Sequence, residues 1–214
     1  MLGILSLLFS LIPGLGPLLT RPRLTVTRAF RDDRSIHVHG TPTGQAAFVH
    51  VRFMNKPLPL LAWLTDTKPA THLQARITFF QPSDPKPLFG PLIGRWGDAD
   101  QPASISPYRS TLDIEQIMLP PNGAPRELDI ALKHDLETEC YAVDNTSFRY
   151  PGVKRPDYRL LGGKYLVRVE FVADNFGGFR KWFSLSNCGV EAARLDIEEI
   201  KPPKWHRQAR PKLL

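Results

Sequence analysis

The chain has 214 residues, of which 42% are hydrophobic and 23% charged, with a net charge of +7. That length and balance suit one large domain with a sizeable core, with two small domains as the alternative, and exclude a chain too polar to fold. Two cysteines without a CxxC pair exclude a zinc-ribbon framework.

The placement of charge says more than its sum. Arg21, Arg23, Arg28, Arg31 and Arg34 stand against Asp32 and Asp33 just after the N-terminal segment, and Lys201, Lys204, Arg207, Arg210 and Lys212 follow residue 200 with no acid among them. Residues 35–200 carry 18 basic and 19 acidic side chains. A nucleic-acid-binding fold more often spreads its cations over a face of the domain itself, so nucleic acid is not the expected partner. Basic flanks beside an apolar segment suit an anionic lipid surface. Arg21, Arg23, Arg28, Lys204, Arg207 and Arg210 are the residues expected to meet it.

In chain order, residues 1–20 have no charged side chain. A helix of that length reaches about 30 Å, roughly the hydrocarbon thickness of a bilayer. Pro13, Gly14, Gly16 and Pro17 interrupt it, so spanning and lying in the interface both stay open. A cleaved signal peptide wants a positive n-region and an A-x-A-like site, and neither is present. A segment buried against other subunits is the remaining alternative. The anchor reading is preferred: Leu5, Leu8, Phe9 and Ile12 enter the membrane, and the arginines hold the following domain on the cytoplasmic side.

From Arg21 to residue 200 the pattern is that of strands, whose successive side chains alternate between faces. Leu24, Val26 and Arg28 share one face of a first strand, and Ile36 and Val38 alternate with His37 and His39. Val49, Val51 and Phe53 alternate with His50 and Arg52, and Leu73, Ala75, Ile77 and Phe79 with Gln74, Arg76 and Thr78. Leu128, Ile130 and Leu132 form another strand, as do Tyr165, Val167, Val169 and Phe171. Phe179–Leu185 and Arg194–Ile200 complete the series. Turn residues separate these runs at 40–44, 55–59, 81–91, 120–125, 161–164 and 175–178, the last giving a hairpin signal. The 21 prolines, about twice the usual share of roughly 5%, fall mostly between the runs. The expected fold is an all-β two-sheet sandwich of about seven to nine strands, with an apolar N-terminal helix. A closed barrel is the alternative. Residues 21–200 form that domain, preceded by the anchor at 1–20 and followed by a basic tail at 201–214. Two stretches fit less well: Leu58–Thr65 is apolar without period, and residues 134–160 are a long excursion between strands.

The stretch Leu161-Gly-Gly-Lys-Tyr-Leu-Val-Arg-Val-Glu-Phe, followed by Trp182-Phe-Ser-Leu-Ser-Asn, resembles the final hairpin of immunoglobulin-like domains in prokaryotic membrane-tethered proteins. Gly94-Arg95-Trp96 and Tyr141–Asn145 are similar to proteins of the same type. The resemblance implies a fold and no activity. The Cys…Trp…Cys spacing of antibody domains is absent, because Trp63 and Trp96 both precede Cys140.

No catalytic, metal or cofactor constellation stands out. His37, His39 and His50 lie on the polar faces of two strands expected to pair, where imidazoles can converge on a metal, but a solvated face is the expectation. Asp135, Glu137, Glu139, Asp144 and Asn145 gather in the excursion without the spacing of a calcium loop. Asp98 and Asp100 follow Arg95-Trp96 in a Gly/Pro-rich loop, where a buried Trp96 and an Arg95 bonding nearby carbonyls are expected instead of paired acid/base carboxylates. Asn145-Thr146-Ser147 matches a glycosylation acceptor, which is irrelevant to a cytoplasmic domain. There is no G-x-S-x-G, P-loop or G-x-G-x-x-G. Cys140 and Cys188 are expected as free, partly buried thiols, with a single disulfide as the alternative. Trp205 among the basic residues of the tail suits a headgroup region. The function expected is a non-enzymatic, membrane-tethered binding or scaffolding module with a protein partner. The alternative is a structural subunit packing its apolar N-terminus against other subunits.

Overall fold

The computed structural model describes residues 20–38, 41–57, 67–97 and 116–208. They form two antiparallel sheets packed face to face. The first sheet runs in the order β1 (Leu24–Val38), β2 (Thr41–Asn55), β7 (Arg126–His134), β8 (Cys140–Ala142), β9 (Arg159–Leu160), with β5 (Arg95–Trp96) also paired to β7. The second runs β12 (Leu195–Ile200), β11 (Phe176–Asn187), β10 (Gly163–Ala173), β3 (Ala70–Phe80), β4 (Pro87–Ile93), with β6 (Gln116–Leu119) paired to β3. The all-β sandwich is therefore the fold.

The core lies between the sheets, built from the apolar half of each alternating strand. Val49, Val51 and Phe53 of β2 meet Val167, Val169 and Phe171 of β10, all essentially without solvent exposure. Phe53 and Phe171 pack edge to face at 4.4 Å, and Trp96 reaches Phe171 at 6.1 Å. Fully burying such a ring stabilises by about 1.5–3 kcal/mol, which makes this aromatic group a main tie between the sheets.

Three elements differ from the sequence pattern for local reasons. The strands expected at 24–30 and 35–40 run as one continuous β1 as far as Val38, residues 39–40 lying outside the described ones. A register shift between Val26 and Arg28 turns Arg28 to the outer face, away from Leu24 and Val26. Residues 87–91, expected within the turn at 81–91, belong to β4 at the edge of the second sheet, where proline removes no ladder bond. Gly90 is required there: its φ is +104°, and a Cβ would stand 2.7 Å from the Ile77 carbonyl oxygen. The excursion at 134–160 holds β8, β9 and three 3-10 turns, and it covers the outer face of the first sheet. There Ala46, Phe48, Leu132 and Val143 form a second small core with Phe148 and Val153.

The sandwich has two distinct ends. Residues 20–23 join it where Leu24 pairs Asn55, beside the β10–β11 hairpin turn; the β1–β2 hairpin tip, Val38 opposite Thr41, lies at the other. β2 pairs β7 only from Ala46 to Phe53, so the ribbon beyond Gln45 extends past that pairing.

Candidate functional site

The outer face of the first sheet carries a row of polar side chains across β2, β7 and β5. Residues directly opposite in antiparallel strands share a face, and the register places His50 opposite Asp129 and Asp129 opposite Arg95. The His50 Nδ1 donates to Asp129 Oδ1 at 2.8 Å, and the Arg95 guanidinium lies 3.5 Å from Asp129 Oδ2. Arg95 Nη1 then donates to Asn145 Oδ1 at 3.1 Å, beneath the Phe148 ring at 4.3 Å. All four side chains are buried: His50 0%, Asp129 4%, Arg95 2% and Asn145 9% exposed. Gly97 makes room for the carboxylate, since a Cβ there would stand 2.8 Å from Asp129 Oδ1.

Among the described residues, His50 Nε2 and Asn145 Nδ2 of this row have no hydrogen-bond partner, and Arg95 Nε meets Asp129 as an ion pair without a hydrogen bond. The His50 ring lies between Phe30 at 5.3 Å and Phe48 at 6.0 Å. A His–Asp pair acts as a general base where its second nitrogen reaches a proton of a nucleophile, a substrate or a water, and the His50 Nε2 is buried. Ser147 is the buried hydroxyl of this region, and it instead donates to Asp144 Oδ1 at 2.9 Å. The geometry is that of a charge-balanced, closed polar row: Asp129 is held by one cation and one imidazole, as a buried carboxylate requires.

A second buried cation sits at the far end of the same sheet. Lys133 Nζ, at 0% exposure, donates to Asn187 Oδ1 and the Gly189 carbonyl oxygen, both at 2.6 Å. Burial pulls its pKa below the ordinary lysine value. Burial likewise pushes the Cys140 thiol up to about 12, so it is not a reactive thiolate. Both cysteines are free, Cys140 buried and Cys188 exposed.

The structure separates the other residues that the sequence singled out. His37 pairs Pro42 while His50 pairs Phe30. The seven-residue offset along β1 is about 23 Å at 3.3 Å per residue, so those two histidines do not converge. His39, Asp98 and Asp100 lie outside the described residues, as do Leu5, Leu8, Phe9, Ile12 and Arg210; Arg207 is described in its backbone alone. The acidic excursion is divided among separate partners: Asp135 accepts from Ala192 N, Glu137 pairs Lys154, and Glu139 pairs Arg159. Asp144 caps its own turn and accepts from Tyr158 Oη. Asn145 is bonded to Arg95 by its amide oxygen and buried, so the acceptor sequence Asn145-Thr146-Ser147 is not presented as an accessible loop. Trp96 is buried as expected, whereas Arg95 bonds side chains rather than backbone carbonyls.

Of the expected lipid-facing cations, the four with described side chains, Arg21, Arg23, Arg28 and Lys204, lie in three places. Arg21 and Arg23 are exposed at the end where residues 20–23 join the sandwich. Arg28 stands on the outer face of β1 with its guanidinium 5.3 Å from the Phe30 ring. Lys204 begins a short helix, α1 (Lys204–Gln208), laid on the outer face of the second sheet. Trp205 of α1 is half-buried there, 5.4 Å from both Phe80 and Trp182.

Among the described residues no helix is long and apolar enough to cross a membrane, and no group of three or more histidine, cysteine or acidic side chains is placed to hold a metal. The fold and this row define the class: an all-β sandwich with a buried His–Asp–Arg row. Comparison with known proteins goes no further, since no family model, no curated protein and no solved structure matches the chain.

Proposed function

We propose that this chain is a non-enzymatic binding or scaffolding module, an immunoglobulin-like sandwich tethered to a membrane surface by residues 1–20 with its β domain toward the cytoplasm. Its partner is a protein, which it meets along the outer edge of β1. The observation that carries this reading is the edge itself. β1 is 15 residues long, it ends the first sheet, and among the described residues no strand pairs with its outer side. Such an edge accepts an added strand through main-chain hydrogen bonds. Arg28, Arg31, Asp32 and Asp33 with a bulge beside Thr27 are the devices that keep an edge from pairing indiscriminately. Arg31 and Asp33 pair with each other at 3.1 Å, so a partner strand meets a patterned edge.

The tether and the edge are tested separately. Membranes carrying the full chain, or a variant beginning at Arg21, are washed in high salt and then in detergent. Retention of the full chain alone supports the tether; two soluble chains with an oligomeric full-length form would instead make residues 1–20 an assembly segment. A photo-cross-linking side chain at Arg28 is expected to give one discrete protein adduct, and the same probe at Lys164 none. Equal labelling from both positions would sink the edge reading.

A further inference from the structure

The end of the sandwich where residues 20–23 join it has a charge pattern that the sequence scatters. Arg23 N donates to Asn55 Oδ1 at 2.9 Å, Lys56 N to the Arg23 carbonyl at 2.9 Å, and Lys68 N to the Thr20 carbonyl at 2.8 Å. Asn55, 0% exposed, completes the knot by donating to the carbonyls of Lys68 and Leu119 at 3.0 and 3.2 Å. Four chain segments are thereby fixed together, and Arg21, Arg23, Lys56 and Lys68 all stand exposed at this end, beside Thr20. None of these four cations makes an ion pair among the described residues. Asp174, which lines a hollow with Arg21 and Lys68, is engaged by His72 at 2.6 Å. Phe176 lines shallow hollows of about 430 and 420 Å³ on either side of Arg21 and Pro22, and it is half-buried.

We propose that this end is a docking face for anionic lipid headgroups, with Arg21, Arg23, Lys56 and Lys68 as its cations. The inference deepens the tether reading and rests on it for the occupant: the charge-free segment 1–20 ends at Thr20, next to Arg21, and cations without an ion pair among the described residues, beside an apolar segment, complement an anionic leaflet. The half-buried Phe176 ring supplies apolar contact at that level. The sandwich then stands on this end. β1, at about 3.3 Å per residue, carries the β1–β2 hairpin tip roughly 50 Å from the surface. Lys204 and Arg28 lie off this face and take no part.

The test is sedimentation of the full chain with vesicles of neutral phosphatidylcholine and with vesicles containing about 30% phosphatidylserine, comparing Lys56→Gln/Lys68→Gln with a Lys86→Gln/Lys164→Gln pair at the opposite end. Each cation near an anionic surface contributes about fivefold, so the first pair is expected to weaken binding to the anionic vesicles about 25-fold and leave the neutral ones unchanged. The opposite-end pair is expected to change neither. Equal losses from the two pairs, or none from Lys56→Gln/Lys68→Gln, overturn the docking face. Binding to neutral vesicles reports residues 1–20 alone. A chain that ignores neutral vesicles but binds anionic ones through Lys56 and Lys68 refutes the tether and upholds the docking face.

Discussion

His50 Nδ1 lies 2.8 Å from Asp129 Oδ1 across the β2–β7 pair, and among the described residues the opposite side of that imidazole has no hydrogen-bond partner. The two residues are thus unequal members of the row. Asp129 is the acceptor that offsets the buried Arg95 guanidinium, whereas His50 contributes one bond and carries one unsatisfied nitrogen.

Removing each therefore has different consequences. Asp129→Ala strands a buried guanidinium and is expected to cost about 3–5 kcal/mol. His50→Leu loses a hydrogen bond to a charged group but also removes a buried nitrogen without a partner, two opposing effects of about 1–3 kcal/mol each. The net change is expected to stay within about 1 kcal/mol. Urea denaturation of both variants reads the difference directly. Similar losses from the two would show that His50 supports the row as much as Asp129 does.

This row was hard to read in the sequence for a physical reason. Alternation marks His50, Asp129 and Arg52 as the polar half of their strands, which ordinarily faces water. Here residues 143–153 roof that face, so His50 and Asp129 are nevertheless buried at polar positions, while Arg52 stays partly exposed. The His50–Asp129 contact also spans 79 residues, with no local pattern to announce it. What alternation did mark was the inter-sheet core: Val49, Val51, Phe53, Val167, Val169 and Phe171 all lie where it places them. Short strands buried on both faces, such as β5 and β8, are too brief to show a period.

Alkaline pH probes the packing around β8. Cys140 holds its proton to about pH 12 in the folded chain, against 9.0 for an ordinary thiol. Between those values the folded state binds a proton that the unfolded state has lost, so stability falls as pH rises, by about 1.4 kcal/mol per unit. Lys133 acts in the opposite sense: its lowered pKa makes stability rise with pH up to its unfolded value of 10.5. Cys140→Ala is expected to lessen the loss of stability between pH 8 and pH 10.5 by about 2 kcal/mol. Lys133→Met is expected to steepen it. Urea midpoints of the three chains at both pH values are the check, and parallel pH profiles would refute the assignment.

Asn55 ties Arg23, Lys68 and Leu119 through three backbone groups. Asn55→Ala orphans all three, at about 1–3 kcal/mol for each group left buried and unsatisfied. Part of that is recovered as water enters, so a loss of roughly 2–4 kcal/mol is expected. Asn55→Asp keeps the acceptor for Arg23 but sets a carboxylate against two carbonyl oxygens, and it is expected to cost more than alanine. Amide hydrogen exchange at Arg23 and Lys68 should accelerate in both variants ahead of the β10–β11 core. Unchanged exchange at those amides would mean that the segments are held by something else.

Trp205 is the remaining residue whose position alters its reading. Its ring covers Phe80 and Trp182, and Trp182 on the outer face of the second sheet is thereby only 2% exposed. A headgroup-level role for Trp205 requires that ring to leave the sheet and uncover two large aromatic side chains, which costs on the order of 1–3 kcal/mol. The docked position is therefore expected to persist in solution and on vesicles alike. Trp205→Ala should expose Trp182, raising the fraction of tryptophan fluorescence quenched by acrylamide and lowering stability by about 1–2 kcal/mol. Trp205→Phe keeps an aromatic ring on the same face and should leave the quenching of Trp182 nearly unchanged. Were Trp205→Ala to leave Trp182 equally protected, α1 would not be what covers it, and the tail would be free to reach a surface.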